Sequence, residues 1–230
     1  MNPTSHDIAA VLFDLDGTLL DTAPDMAAAL NQLRREQGLA ALPYPDVRPL
    51  VSHGATALVK LGFPNVDAKA FDELRSRFLA IYQECLSVET RPYEGVAEVL
   101  SHLERNGIPW GVVTNKPTGL TEALLDDLSL RTRAGVIVCG DTLTVRKPHP
   151  GPLLHAAEKL GISPAHCIYV GDAERDVLSA CAAGMRVFVA LYGYISGDER
   201  PRDWPANGWL DEPLAMMPLI SFPPHMGSRF

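Results

Sequence analysis

No stretch of this chain approaches the roughly 20 consecutive apolar residues that a membrane-spanning helix requires. The first residues, Met1-Asn2-Pro3-Thr4-Ser5-His6-Asp7, supply neither the basic region nor the apolar run of a secretion signal, and a cytoplasmic location is expected. Only four cysteines occur, Cys85, Cys139, Cys167 and Cys181, none of them in a C-x-x-C pair. Three have apolar neighbours, and all four are read as reduced core thiols rather than as a disulfide framework. Positive charge is also in short supply: 20 Lys and Arg against 28 Asp and Glu leave a net charge of −8, with no dense basic block. A nucleic-acid surface and a polybasic membrane contact are therefore not expected, and any bound anion must be attracted by a few local groups or a metal. His102, His149, His155 and His166 lack metal-ligand spacing and read as surface or structural residues. Internal repeats are absent, and the proline-rich tail Pro223–Ser228 reads as loosely held.

What the sequence does contain is a series of short, almost wholly apolar runs: Ile8–Phe13, Trp110–Val113, Val136–Val138, Cys167–Val170 and Val187–Leu191. Between them lie helical patterns at Gly95–Asn106, Leu120–Leu128, Gly151–Leu160 and Val177–Ala183. Strands without polar alternation, separated by helices, suit a parallel sheet covered on both faces. The expected fold is α/β, a Rossmann-like doubly wound core. From Thr22 to Arg91 the rhythm breaks. Pro24–Gly38, Ala55–Leu61 and Asp67–Leu86 read as helices, with Pro24 in a first turn and Gly38 as a stop. Residues 22–91 are accordingly expected to form an inserted helical cap domain, and residues 1–21 and 92–230 the core. Leu20–Ala23 and Thr90–Gly95 are the expected hinges.

In an open parallel sheet, ligands bind beyond the carboxyl ends of the strands. The residues found there are Asp14 and Asp16 after the first run, Thr114 and Asn115 after the second, Lys147 ahead of the Gly151 helix, and Asp172 and Asp176 after the fourth. Asp14 and Asp16 leave the same side of a chain end, and Gly17 permits a turn that lets both reach one pocket. Ionised carboxylates in such a place need a cation or hydrogen-bond donors nearby. Taken singly, each signal has an ordinary reading as a loop, a turn or a helix cap. Together, at four strand ends in order, they make chance assembly a poor explanation.

The segments DLDGTL from Asp14, VVTNK around Thr114, RKPHPGPL around Lys147 and VGDAERD around Asp172 resemble the four motifs of the haloacid dehalogenase superfamily, over about Ala10 to Leu191. The resemblance implies magnesium-assisted phosphoryl transfer through an aspartyl-phosphate, with a mobile cap. It makes Asp14 the nucleophile and Asp16 the general acid and base. Asp14, the Asp16 main-chain carbonyl and Asp172 would hold the metal, with Asp176 orienting its ligands or waters. Lys147 would cancel charge, while Thr114 and Asn115 donate to the phosphoryl group. Asp16 argues against halide and phosphonate cleavage, neither of which uses an acid there. VVTNKP, Tyr192-Gly193-Tyr194 and Arg91–Val96 look most like the phosphoglycolate phosphatase group, and also like the bacterial N-acetylmuramic acid 6-phosphate phosphatases. A sugar-phosphate mutase and a non-enzymatic phosphate-binding module remain open alternatives.

Further positions carry two readings each. His53 and Gly54, between cap helices, either recognise substrate or merely connect. Lys116 either meets an anionic substrate or sits in solvent, Asp21 is expected to cap the Pro24 helix, and Tyr192–Tyr194 reads as an aromatic turn packed on the core. The expected partner is a small phosphorylated metabolite, and the expected assembly is a monomer or homodimer.

Overall fold

The structure is a computed structural model that describes residues 8–220; the opening heptapeptide and the proline-rich tail discussed above lie outside that range. In chain order, the first elements are β1 (Ala10–Phe13), β2 (Leu20–Asp21), α1 (Ala23–Glu36), α2 (Tyr44–Val47), a 3-10 turn (Arg48–His53), α3 (Gly54–Gly62), α4 (Ala68–Glu84) and β3 (Arg91–Pro92). Then follow α5 (Val96–Arg105), β4 (Trp110–Val113), α6 (Thr118–Asp127), β5 (Val136–Val138), α7 (Gly151–Leu160), β6 (Cys167–Gly171), α8 (Glu174–Ala183), β7 (Arg186–Ala190), β8 (Gly208–Leu210) and α9 (Met217–Ile220).

Six parallel strands form one sheet in the order β5-β4-β1-β6-β7-β8. Strand β1 sits at its centre, with Val11 opposite Trp110 on one side and Ile168 on the other. Its four residues are all buried because both faces of the sheet are covered. Val11 and Phe13 join one core cluster with Leu100 and Leu124 of α5 and α6, whereas Ala10 and Leu12 join another with Leu153 and Val177 of α7 and α8. That split is the two-residue period of a strand expressed as packing. The chain order also makes β1 the switch point: strands run outward to β4 and β5 on one side, then return to β6, β7 and β8 on the other. A crevice at the carboxyl end of β1 follows from that reversal.

The expected strands and helices are present with ends shifted by a few residues, and the short edge strand β8 is an addition. So are α2 and the following 3-10 turn, where Pro45 and Pro49 fall in first turns, positions that cost no main-chain hydrogen bond. The helical block occupies Ala23 to Glu84. Its two expected hinge segments pair with each other as an antiparallel ribbon, Leu20 opposite Pro92 and Asp21 opposite Arg91. Asp25 of α1, buried, accepts from the main-chain N–H groups of Glu89 and Thr90 and from the Thr90 hydroxyl, thereby tying the returning chain to the outgoing one.

Two expectations need correction. Asp21 does not cap α1: its carboxylate accepts from the Tyr194 hydroxyl at 2.7 Å, and that hydroxyl accepts from the Ala23 N–H at 2.9 Å. The phenol thus stands in for the cap and satisfies an orphan donor at the helix start. Cys181 is not a core thiol, because the helical period carries it to the solvent face of α8. Cys139 and Cys167 are buried, Cys85 is half-buried, and all four are free. Among the described residues, no helix is long and apolar enough to cross a membrane.

Candidate active site

Strands β1, β4 and β6 deliver their carboxyl ends to one place. The Asp14 N–H donates to the Val170 carbonyl, keeping the chain in the sheet up to the first acid. Gly17 then turns back with φ +81°, and a Cβ on it would lie 2.1 Å from Asp172 Oδ2. Only glycine fits both the backbone conformation and the space, so the turn after Asp16 is what lets Asp172 approach.

Asp14 and Asp16 share a pattern. Asp14 Oδ1 accepts from the Leu15 N–H at 2.8 Å and lies 3.0 Å from Lys147 Nζ. Asp16 Oδ1 accepts from the Thr22 hydroxyl at 2.7 Å and from Lys116 Nζ at 2.9 Å. In each carboxylate one oxygen is anchored, and no described residue bonds the other. Asp172 behaves alike: Oδ2 accepts from the Ser52 hydroxyl at 2.5 Å and the Tyr194 N–H at 2.8 Å, while Oδ1 is buried without a partner. Asp176 differs, with Oδ1 2.8 Å from Lys147 Nζ and Oδ2 accepting from the Ala173 N–H.

Lys147 is the electrostatic hub. Its buried ammonium donates to the Val113 carbonyl at 2.8 Å and the Tyr169 hydroxyl at 2.7 Å while pairing with Asp14 and Asp176. Burial pushes the Asp14 carboxyl up, but Lys147 and Arg175 outweigh it and hold that carboxyl below its ordinary range. Burial, reinforced by the charges of Asp14 and Asp176, instead raises Asp172 to about 7. One acid is thus stabilised as the anion and another lacks a cation.

The geometry of the acids could accommodate a metal ion. Asp14, Asp172 and Asp176 are all buried and each offers an oxygen within 4.8 Å of the others. An all-oxygen set with an orphaned Oδ1 suits a hard divalent cation such as magnesium rather than a soft one.

Above these acids lies a cavity of about 330 Å³, walled on one side by Asp14, Asp16, Thr114 and Arg175 and on the other by Ser52, His53, Arg75 and Tyr82 of the helical block. The profile of the haloacid dehalogenase-like hydrolase family matches residues 11–190. The chain belongs to that family. A phosphoglycolate phosphatase of Xanthomonas campestris pv. campestris is 44% identical over 214 residues, 93% of this chain and 97% of that protein. An N-acetylmuramic acid 6-phosphate phosphatase of Pseudomonas aeruginosa is 41% identical, covering 93% and 95%. Among solved structures, a predicted phosphoglycolate phosphatase from Haemophilus somnus superposes with a TM-score of 0.85 at 26% identity, covering 94% of this chain and 99% of that one. The protein is therefore an enzyme, a hydrolase of the phosphoric monoester class.

This haloacid dehalogenase-like hydrolase assembles Asp14, Asp16, Thr114, Lys147, Asp172 and Asp176 in one place, as the motif order implies. Two other positions gain detail. Asn115, expected to donate to the phosphoryl group, lines the cavity, and its side chain also grips the lysine's loop: Nδ2 donates one hydrogen to the Lys147 carbonyl at 3.0 Å, and Oδ1 accepts from the Lys147 N–H at 3.1 Å. Lys116 is not in solvent; it is buried, paired with Asp16, and bonded to the Tyr82 hydroxyl at 2.9 Å. Burial opposes its charge, but Asp16 outweighs that and raises its pKa. His53 and Gly54 both line the cavity, His53 lying 4.0 Å from Glu199. The Tyr192–Tyr194 turn packs on the core as expected, and it also braces Asp172 through the Tyr194 N–H.

Sequence reasoning passed over Ser52, Arg75, Tyr82 and Arg175. Arg175 stood in plain view between Asp172 and Asp176. Ser52 neighbours the flagged His53, and its carbonyl accepts from Arg175 at 2.6 Å. Arg75 and Tyr82 gave no signal, since a helix face spaced by seven reads equally well as packing.

Proposed function

We propose that this enzyme is a magnesium-dependent phosphatase of a small phosphorylated metabolite, with Asp14 as nucleophile and Asp16 as proton donor and acceptor. The observation that carries the reading is the matched pair of carboxylates, each with one oxygen anchored by a lysine and the other bonded by no described residue. Asp14 Oδ2 attacks phosphorus, the bond to the ester oxygen breaks, and Asp16 gives its proton to the departing alkoxide. Asp16 then takes a proton from water as that water attacks the aspartyl-phosphate, restoring Asp14 and releasing inorganic phosphate. Lys147 keeps Asp14 ionised and offsets charge on the phosphoryl oxygens. The Thr114 hydroxyl, which accepts from the Lys116 N–H at 3.2 Å, retains its proton for one of those oxygens. Asp14, Asp172 and Asp176, with the Asp16 carbonyl, would hold magnesium, which would supply electrostatic neutralisation of the phosphate dianion.

We further infer that residues 22–91 act as the cap domain of a cytoplasmic enzyme, with His53 and Gly54 at the substrate face. The relatives' names leave two candidate substrates, 2-phosphoglycolate and N-acetylmuramic acid 6-phosphate. Phosphate release should be measured on both, with hexose phosphates and an aryl phosphate alongside, in magnesium and in excess chelator. Turnover is expected with metal and should fall about 10³-fold or more in Asp14→Asn. An Asp14→Asn protein retaining full activity would refute the nucleophile, and conversion of a hexose 1-phosphate into its 6-phosphate would make the protein a mutase.

A further inference from the structure

Among the described residues, one cation lining the cavity has no hydrogen bond and no ion pair. Lys116 is spent on Asp16, Arg175 donates to the Ser52 carbonyl, and Arg146 donates to the Gly140 carbonyl. Arg75, half-buried on the cavity wall, makes no hydrogen bond and no ion pair with any described residue. It lies on the face of α4 that also presents Leu79 and Tyr82 to the cavity, the i, i+4, i+7 face of a helix. The Tyr82 end of that face touches the chemical centre through Lys116. Seven residues of helix place Arg75 about 10 Å further along the axis.

We propose that Arg75 is the specificity residue for a second anion on the substrate, a carboxylate carried at the end of the leaving alcohol remote from the phosphate. The inference rests on the phosphatase reading above and narrows it. The core already supplies cations for the phosphate dianion; a free guanidinium at the far wall therefore serves a different group, and its planar fork matches a carboxylate. Size points the same way. The cavity of about 330 Å³ falls within the roughly 300–1,000 Å³ of pockets that take drug-sized ligands. A two-carbon phosphoester would leave part of it filled with water. Leu79 and Leu120 also line the cavity, an apolar surface that suits the carbon faces of a sugar ring. The substrate class is thus the 6-phosphate of a sugar acid rather than a short hydroxy-acid phosphate.

The test compares two ring-matched esters, N-acetylmuramic acid 6-phosphate, which carries the carboxylate, and N-acetylglucosamine 6-phosphate, which lacks it. The readout is the ratio of their kcat/KM values on one preparation, which does not depend on how much of it is folded. The wild type is expected to favour the acid at least tenfold. Arg75→Met should bring the ratio to within about twofold of one, chiefly by raising KM for the acid, and Arg75→Lys should restore part of it. An unchanged ratio in Arg75→Met, or 2-phosphoglycolate as the best wild-type substrate, overturns the inference while leaving the phosphatase reading intact. No phosphate release from any ester or aryl phosphate in magnesium overturns both.

Discussion

The two walls of the cavity are built on opposite terms. On the core side, anchored carboxylates, a lysine with four partners and two glycines pressed against Asp172 leave little freedom. On the insertion side, Arg75 is unpaired, His53 is exposed and nothing crowds Gly54. Chemistry common to all phosphate esters needs groups fixed to within tenths of an ångström, and the saturated core provides that. Discrimination between alcohols needs groups held in reserve for the substrate, the part that the proposal above gives to Arg75 on the helical block. A buried network that satisfies itself is suited to catalysis, and a lining that does not is suited to recognition.

The contrast can be broken first at Asp16. Asp16→Asn should slow single-turnover phosphoryl transfer from an alkyl phosphate to Asp14 by about 10²–10⁴-fold and harm the same step from an aryl phosphate much less, since its leaving group needs no proton. Equal losses in that step would show that Asp16 acts by holding Lys116 rather than by protonating the leaving group. Next comes the contact that joins the walls, Ser52 to Asp172. Ser52→Ala should weaken magnesium binding by about 10–100-fold, visible as a raised metal concentration for half-maximal activity; an unchanged metal requirement would confine Ser52 to packing.

The smallest effect is electrostatic. A carboxyl raised to about 7 in the folded metal-free protein keeps its proton while the unfolded chain has lost its own, so metal-free stability falls as pH climbs from about 4 towards 7. On the proposed reading, magnesium would need the carboxylate and would reverse this. Its increment in Tm should therefore be larger at pH 8 than at pH 6 by about 2–4 °C for each kcal/mol of linkage. An increment independent of pH would mean that Asp172 is already ionised.

The sequence made the saturated wall legible and left the other nearly silent, for a physical reason. Asp14, Asp16, Lys147 and Asp172 are costly residues at strand ends, and their cost marks them without reference to the rest of the chain. Asn115 was recognisable as belonging to the site but not as the clamp on the Lys147 loop, because an amide serves main chain and ligand equally well. Tyr82 and Arg75 sit on an ordinary amphipathic helix, and their significance depends on where α4 packs, which no local pattern encodes. Asp21 misled for a related reason: the phenol that replaced it comes from 173 residues away.

The Tyr82 hydroxyl on Lys116 joins the helical block to the chemical centre. Lys116 pairs with Asp16, and the other hydrogen bond of its ammonium is to α4. Moving this helix outward would strip that contact from the lysine, so the seating of α4 and the hydrogen bonding around Asp16 would change together.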